Sequence, residues 1–143
     1  MAARVFISYS DCDKYKVDEI TSSLEHIGVS YILNSNDAFP SCDISIWEEI
    51  AEQIRTSEIF LYVGSPSSFS NSYAFKKVHY AIDMVENRRD EGSTKGVITY
   101  LFVPPENMPD ALRFLLSNVN HRTWNQRVFP DLIKDITKQL NLE

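Results

Sequence analysis

Apolar and polar positions alternate along this chain in blocks whose period switches between that of a strand and that of a helix. Val5-Phe6-Ile7 is an apolar run that stops at Ser8-Tyr9-Ser10, with Asp11 and Asp13 behind it. It predicts a buried strand over residues 5–8 that opens into a polar turn. Residues 14–27 carry Val17, Ile20, Leu24 and Ile27 on one helical stripe, with Asp11 or Asp13 able to cap the start and Gly28 able to end it. A short strand follows over 29–33, then a polar loop over 34–43. Residues 44–57 predict a second helix with Ile44, Trp47, Ala51 and Ile54 on one face. Ile59-Phe60-Leu61-Tyr62-Val63 is the most continuous apolar run and reads as a central strand buried on both faces. After a serine-rich loop over 65–72, a third helix over 74–87 turns Phe75, Val78, Ile82 and Val85 inward. A charged connector over 88–95 leads to a strand over 97–103, closed by Pro104-Pro105. A short helix is expected at 109–116, an edge strand at 119–124, and a last amphipathic helix over 129–140 through Leu132, Ile133, Ile136 and Leu140. Alternating strands and helices predict a mostly parallel sheet covered on both faces.

Composition narrows the class. The chain has 143 residues, the size of one domain over 1–143, and its 43% hydrophobic content suffices for a full core. A net charge of −6 argues against nucleic acid as a ligand, because phosphate binding needs a basic footprint. Two cysteines, Cys12 and Cys42, make neither a disulfide framework nor a zinc pattern. No apolar run approaches 18 residues and no charged segment precedes one, so a cytoplasmic chain without membrane span or signal peptide is expected.

Several α/β sites are excluded by residue. The four glycines, Gly28, Gly64, Gly92 and Gly96, form neither a dinucleotide fingerprint nor a phosphate loop. A phospho-acceptor domain would need an Asp where the third strand ends, but that end reads Val63-Gly64-Ser65. No nucleophile elbow occurs, and His26, His79 and His121 lack ligand spacing, so no metal is expected. In open α/β sheets ligands bind outside the carboxyl ends of the strands. Ser8, Tyr9, Ser10 and Asp11 lie at such an end and can line a nucleotide pocket; equally, they suit a helix cap and turn. Ser65, after the central strand, is the best candidate for touching a ligand. Phe39, beside Pro40 in a polar loop, suits a contact anchor. Trp47 fits a partner surface or the core, and Lys77 reads as a solvated lysine that can meet a phosphate if a ligand binds.

Taken together, the segments resemble a TIR domain, the Toll/interleukin-1-receptor fold, of bacterial or stand-alone type. Val5-Phe6-Ile7-Ser8-Tyr9-Ser10 followed by Asp13 is similar to the family's opening motif, and Leu24 and Gly28 fall where its first helix ends. Pro40, Ser45-Ile46-Trp47-Glu48-Glu49-Ile50, Ile54, Ser57 and Ile59 resemble the stretch after its second strand. Phe60-Leu61-Tyr62-Val63 with Ser65-Pro66 resembles its third strand, and Trp124 ahead of Phe129 and Leu132 its approach to the last helix. The resemblance implies a flavodoxin-like three-layer α/β/α fold with five strands in the order 2-1-3-4-5. It implies a signalling module of microbial immunity or effector type that associates with itself or another TIR domain. The contacts would come from the loop over 34–43, with Asn36, Phe39 and Pro40, and from the following helix, with Trp47. No cofactor is then required, although NAD or a related nucleotide is a possible ligand, with Asp37 added to the pocket residues. The alternatives are an enzyme that cleaves or cyclises NAD, and a nucleotide-signal receptor.

Two departures from the family pattern stand out. A glycine usual in the loop after the second strand is replaced by Ser41, Cys42 and Asp43. NAD-cleaving members resemble one another in a Trp-x-x-x-Glu pattern at the start of the third helix, where the Glu meets positive charge building on the ribose. Here that position reads Lys77 or, shifted by one, Val78, and neither can stabilise such a cation. No catalytic residue can therefore be named.

Overall fold

The computed structural model describes residues 5–35, 44–65, 72–87, 96–101, 110, 120–123, 133–134, 136–138 and 140. Strand β1 (Val5–Tyr9) is followed by a 3-10 turn (Asp11–Asp13) and helix α1 (Lys14–His26). Strand β2 (Tyr31–Ser35), helix α2 (Ile44–Thr56), strand β3 (Ile59–Gly64) and helix α3 (Ser72–Asn87) come next. Strands β4 (Gly96–Leu101) and β5 (Asn120–Thr123) complete the sheet, and residues 133–134 and 136–138 are helical.

The five strands lie in the order β2-β1-β3-β4-β5, and every pairing is parallel. The order reverses between β1 and β3, which places the topological switch point at their carboxyl ends. Ser8 stands in register with Asn34 of β2 on one side and with Tyr62 of β3 on the other.

Strand alternation divides the core into two layers. Val5, Ile7, Tyr9, Leu61, Val63, Ile98 and Tyr100 face one way and pack with Val17, Ile20 and Leu24 of α1 and with Ile136 and Leu140. Phe6, Phe60 and Tyr62 face the other way, against Ile50 and Ile54 of α2 and Val78, Ala81 and Ile82 of α3. Phe6 and Phe60 stack across the two central strands with ring centroids 5.4 Å apart. Leu61 is fully buried, as a residue at the middle of a central strand should be.

Several boundaries differ from the sequence reading, each for a local reason. Residues 29–30 are not strand, because Val29 completes the cap of α1. Gly28 takes φ +77°, its N–H donates to Glu25 O at 3.1 Å, and the Val29 N–H donates to Leu24 O at 2.9 Å. This is a Schellman end, with Val29 and Leu24 both in the core beneath it. At its other end strand β2 runs on through Asn34 and Ser35, which pair with Ser8 and Tyr9 of β1, although the polar pattern assigns them to a loop. At the other end of α1 the carboxylates do not cap. Asp13 occupies the cap position without a side-chain hydrogen bond there, and the turn is closed by the Asp13 N–H donating to the Ser10 carbonyl at 2.8 Å. The short helix expected at 109–116 lies outside the described residues apart from Asp110, which is helical. The connector over 88–95 lies wholly outside them.

Candidate functional site at the carboxyl edge of the sheet

The carboxyl ends of β1 and β3 bring Ser8, Ser10 and Ser65 into the same region, all buried. Ser8 ends the apolar run on the α2–α3 side, since it shares a face with Phe6. Tyr9, one residue on, faces the opposite layer and is part of the α1 core. The Ser10 hydroxyl is fully buried and has no hydrogen-bond partner among the described residues. A buried hydroxyl in that state carries a desolvation cost of about 1–3 kcal/mol. Asp11 is exposed, and its carboxylate accepts a 2.6 Å hydrogen bond from the Ser35 hydroxyl.

Lys77 differs most from the sequence reading. It is not a solvated lysine; its side chain is 1% exposed. Its ammonium donates to Asn34 Oδ1 at 2.7 Å and reaches the Asn34 carbonyl at 3.4 Å. Helical periodicity explains the burial: Lys77 lies beside Val78 and one turn before Ala81, both fully buried, on the flank of the inward stripe of α3. Asn34 was missed as its acceptor. The available signal is strand alternation, because Asn34 falls on the same face as Ile32, which packs against the α2–α3 core. Val78, the other position matched to the family carboxylate, is fully buried in that apolar cluster.

Asn34 and Ser35 are the last residues of β2, and each is held from a different face of the sheet. Lys77 of α3 holds the first, and Asp11 of the 3-10 turn holds the second. The chain thus leaves β2 from a root fixed on both sides. Asn36, Asp37, Phe39 and Pro40 lie just beyond it, outside the described residues. Trp47, on the first half of α2, is half-buried at the edge of the core, with the Lys76 ammonium 5.6 Å from its ring centroid.

Between α2 and α3 lies a cavity of about 240 Å³, which the sequence pattern did not reveal. Trp47, Ile50, Ala51 and Ile54 form its α2 wall. No group of three or more His, Cys, Asp or Glu side chains among the described residues is arranged to hold a metal ion. Likewise, no helix among them is long and apolar enough to cross a membrane.

Known proteins place this architecture. The chain covers 98% of the TIR domain of the Toll-related receptor TRR-2 from Hydra magnipapillata, over 94% of its own length, at 23% identity and a TM-score of 0.66. It is similar to a TIR domain in the RPS4 and RRS1 TIR heterodimer, at 15% identity and a TM-score of 0.64, covering 94% of this chain and 96% of that one. It is also similar to the TIR domains of the activated Roq1 resistosome, at 17% identity and a TM-score of 0.53, covering 99% of this chain and 86% of that one. At these identities the likeness is one of fold. No curated protein is detectably similar in sequence. The family model described as TIR domain matches residues 5–135, nearly the whole chain, and the chain therefore belongs to the TIR domain family.

Proposed function

We propose that this chain is a signalling module that works by associating with itself or with another TIR domain, in an immune or effector setting. The observation that carries this reading is the state of Lys77. Where NAD-cleaving relatives are expected to present a carboxylate, this chain has a buried cation committed to Asn34. That cation braces the root of the segment bearing Asn36, Phe39 and Pro40, the residues proposed to meet a partner together with Trp47. A contact segment on a fixed root loses less conformational freedom on binding. The reading is supported by similarity to TIR domains that form a heterodimer and to TIR domains of a resistosome that recognises a pathogen effector. Sedimentation of the wild type over a concentration series, alone and with candidate TIR partners, tests it. Phe39→Ala should weaken the association at least fivefold and leave Tm nearly unchanged. An association that Phe39→Ala leaves intact would defeat the assignment of this surface.

A second reading, a receptor for a nucleotide signal, is favoured by the buried Ser10 hydroxyl at the switch point, which has no hydrogen-bond partner among the described residues. Ser8, Tyr9, Ser10, Asp11, Asp37, Ser65 and Lys77 are the residues proposed for such a ligand. Calorimetric titration with NAD and with ADP-ribose tests this reading. Binding that Ser10→Ala abolishes supports it, and the absence of heat at millimolar ligand rejects it.

A further inference from the structure

The cavity between α2 and α3 lies on the side of the sheet away from α1; it shares Trp47 with the proposed association surface and Lys77 with the proposed nucleotide residues, but neither of those readings uses its apolar hollow. Its α2 wall, Trp47, Ile50, Ala51 and Ile54, is apolar. The α3 wall is Lys76, Lys77 and Tyr80, so the lining includes two lysines and no acid. The two lysines are in different states. Lys77 is buried, with its ammonium turned to Asn34. Lys76 is exposed, and among the described residues its ammonium meets no carboxylate, only the face of Trp47 at 5.6 Å. A cation over an indole at the rim of an apolar hollow is a site for an anionic group attached to an apolar body.

Size admits a small body. The cavity, half open to solvent, has a volume of about 240 Å³. It suits a single aromatic ring with a short side chain. Trp47 and Tyr80 contribute aromatic rings to the lining, and Ile50 and Ile54 contribute aliphatic side chains. We propose that this cavity binds a small aromatic carboxylate, with the ring between α2 and α3 and the carboxylate at the Lys76 ammonium.

Phenylacetate and its neutral isostere phenylacetamide serve as probes, titrated into the full chain. The readout is the Trp47 indole N–H resonance in two-dimensional ¹H–¹⁵N spectra, assigned by its loss in Trp47→Phe. Phenylacetate should shift it saturably, with an apparent Kd of roughly 0.1–3 mM for a ligand of this size. The amide should bind about three- to fivefold more weakly, the range expected for one exposed charge pair. Lys76→Gln should bring the acid to the level of the amide. Ala51→Leu, which fills the hollow, should abolish the shift while keeping a dispersed, folded spectrum. If Ala51→Leu does not fold, Ala51→Val gives the same reading with a smaller loss. No saturable shift at 10 mM probe, equal binding of acid and amide, or binding unchanged by the filled cavity would each overturn the proposal. So would a Trp47 shift that follows protein concentration and that phenylacetate does not displace, since a second copy would then cover this face.

Discussion

Lys77 carries an unfavourable desolvation term into the core, and the fold retains it because Asn34 receives the ammonium at 2.7 Å. The pair joins α3 to the end of β2 across 43 residues of sequence. A hydrogen bond to a charged group contributes about 1.5–3 kcal/mol, and a coupled pair shows an interaction energy of about 0.5–3 kcal/mol in a double-mutant cycle. Lys77→Met, Asn34→Ala and the double variant, compared by urea titration, should therefore be non-additive by about 1–2 kcal/mol. Additive losses would mean that the contact braces nothing. Tyr100 is a second buried polar group, on the opposite face of the sheet. Burial, with a smaller contribution from Glu19, pushes its phenol above the ordinary value of 10.0. The folded state thus holds the proton more tightly than the unfolded chain does. Its stabilising contribution is complete below about pH 10 and is lost as pH rises from there toward the folded value. Tyr100→Phe should remove part of the alkaline loss of Tm and leave the slope near neutral pH unchanged; an identical alkaline slope would reject the assignment.

At the scale of elements, the period of apolar positions foretold β1 to β4 and α1 to α3, while the ends depended on hydrogen bonds that periodicity does not encode. Residue 29 looks like strand because valine is apolar and β-branched, yet its N–H is spent on Leu24 O in closing α1. Asn34 and Ser35 look like loop because they are polar, yet they continue β2, satisfied by Lys77 and by Asp11. Both errors arise where a backbone or side-chain partner outweighs the local preference of the residue. The same limit hid the site. Serines at the end of β1 were visible as a chemical pattern, but the burial of Lys77 depends on its stripe in α3 meeting a strand 43 residues earlier. The α1 end yields a sharp prediction. Gly28 sits at φ +77° with nothing within 4 Å of where a Cβ would stand, so Gly28→Ala meets a conformational cost and no clash. The left-handed backbone costs an L-residue about 1–2 kcal/mol, offset in part by a stiffer unfolded chain. A net loss of about 1 kcal/mol in chemical denaturation is expected, with Gly28→Asn milder than alanine. A neutral Gly28→Ala would show that this turn relaxes out of the left-handed region.

Across the whole molecule, a TIR fold, buried serines at its switch point and a lysine where the family resemblance implies a carboxylate meet in one question: whether this chain cleaves NAD. Breaking the bond between ribose and nicotinamide builds positive charge on the sugar, and catalysis needs a fixed negative charge beside it. Lys77 brings the opposite sign, and Val78 is buried in an apolar cluster. Losing one preorganised electrostatic group costs on the order of 10²–10³ in rate in comparable sites. Purified protein at high concentration, incubated with NAD and analysed by chromatography, should therefore release little or no nicotinamide. Restoring the charge should not be simple. Lys77→Glu would set a carboxylate against the Asn34 carbonyl, where an ammonium now sits, and Val78→Glu would bury one among Phe60, Tyr62 and Ile82. Both variants should lose stability before they gain activity, because an uncompensated buried charge is strongly unfavourable. The competing outcome is specific: rapid nicotinamide release by the wild type, abolished by Asp11→Asn, Asp37→Asn or Glu48→Gln. Asp11 is already bonded to Ser35 and Glu48 lies exposed on α2, so either would have to turn toward the switch point to take the missing role. Such a result would make this chain an enzyme with a relocated acid and would leave the Lys77–Asn34 brace as a purely structural contact.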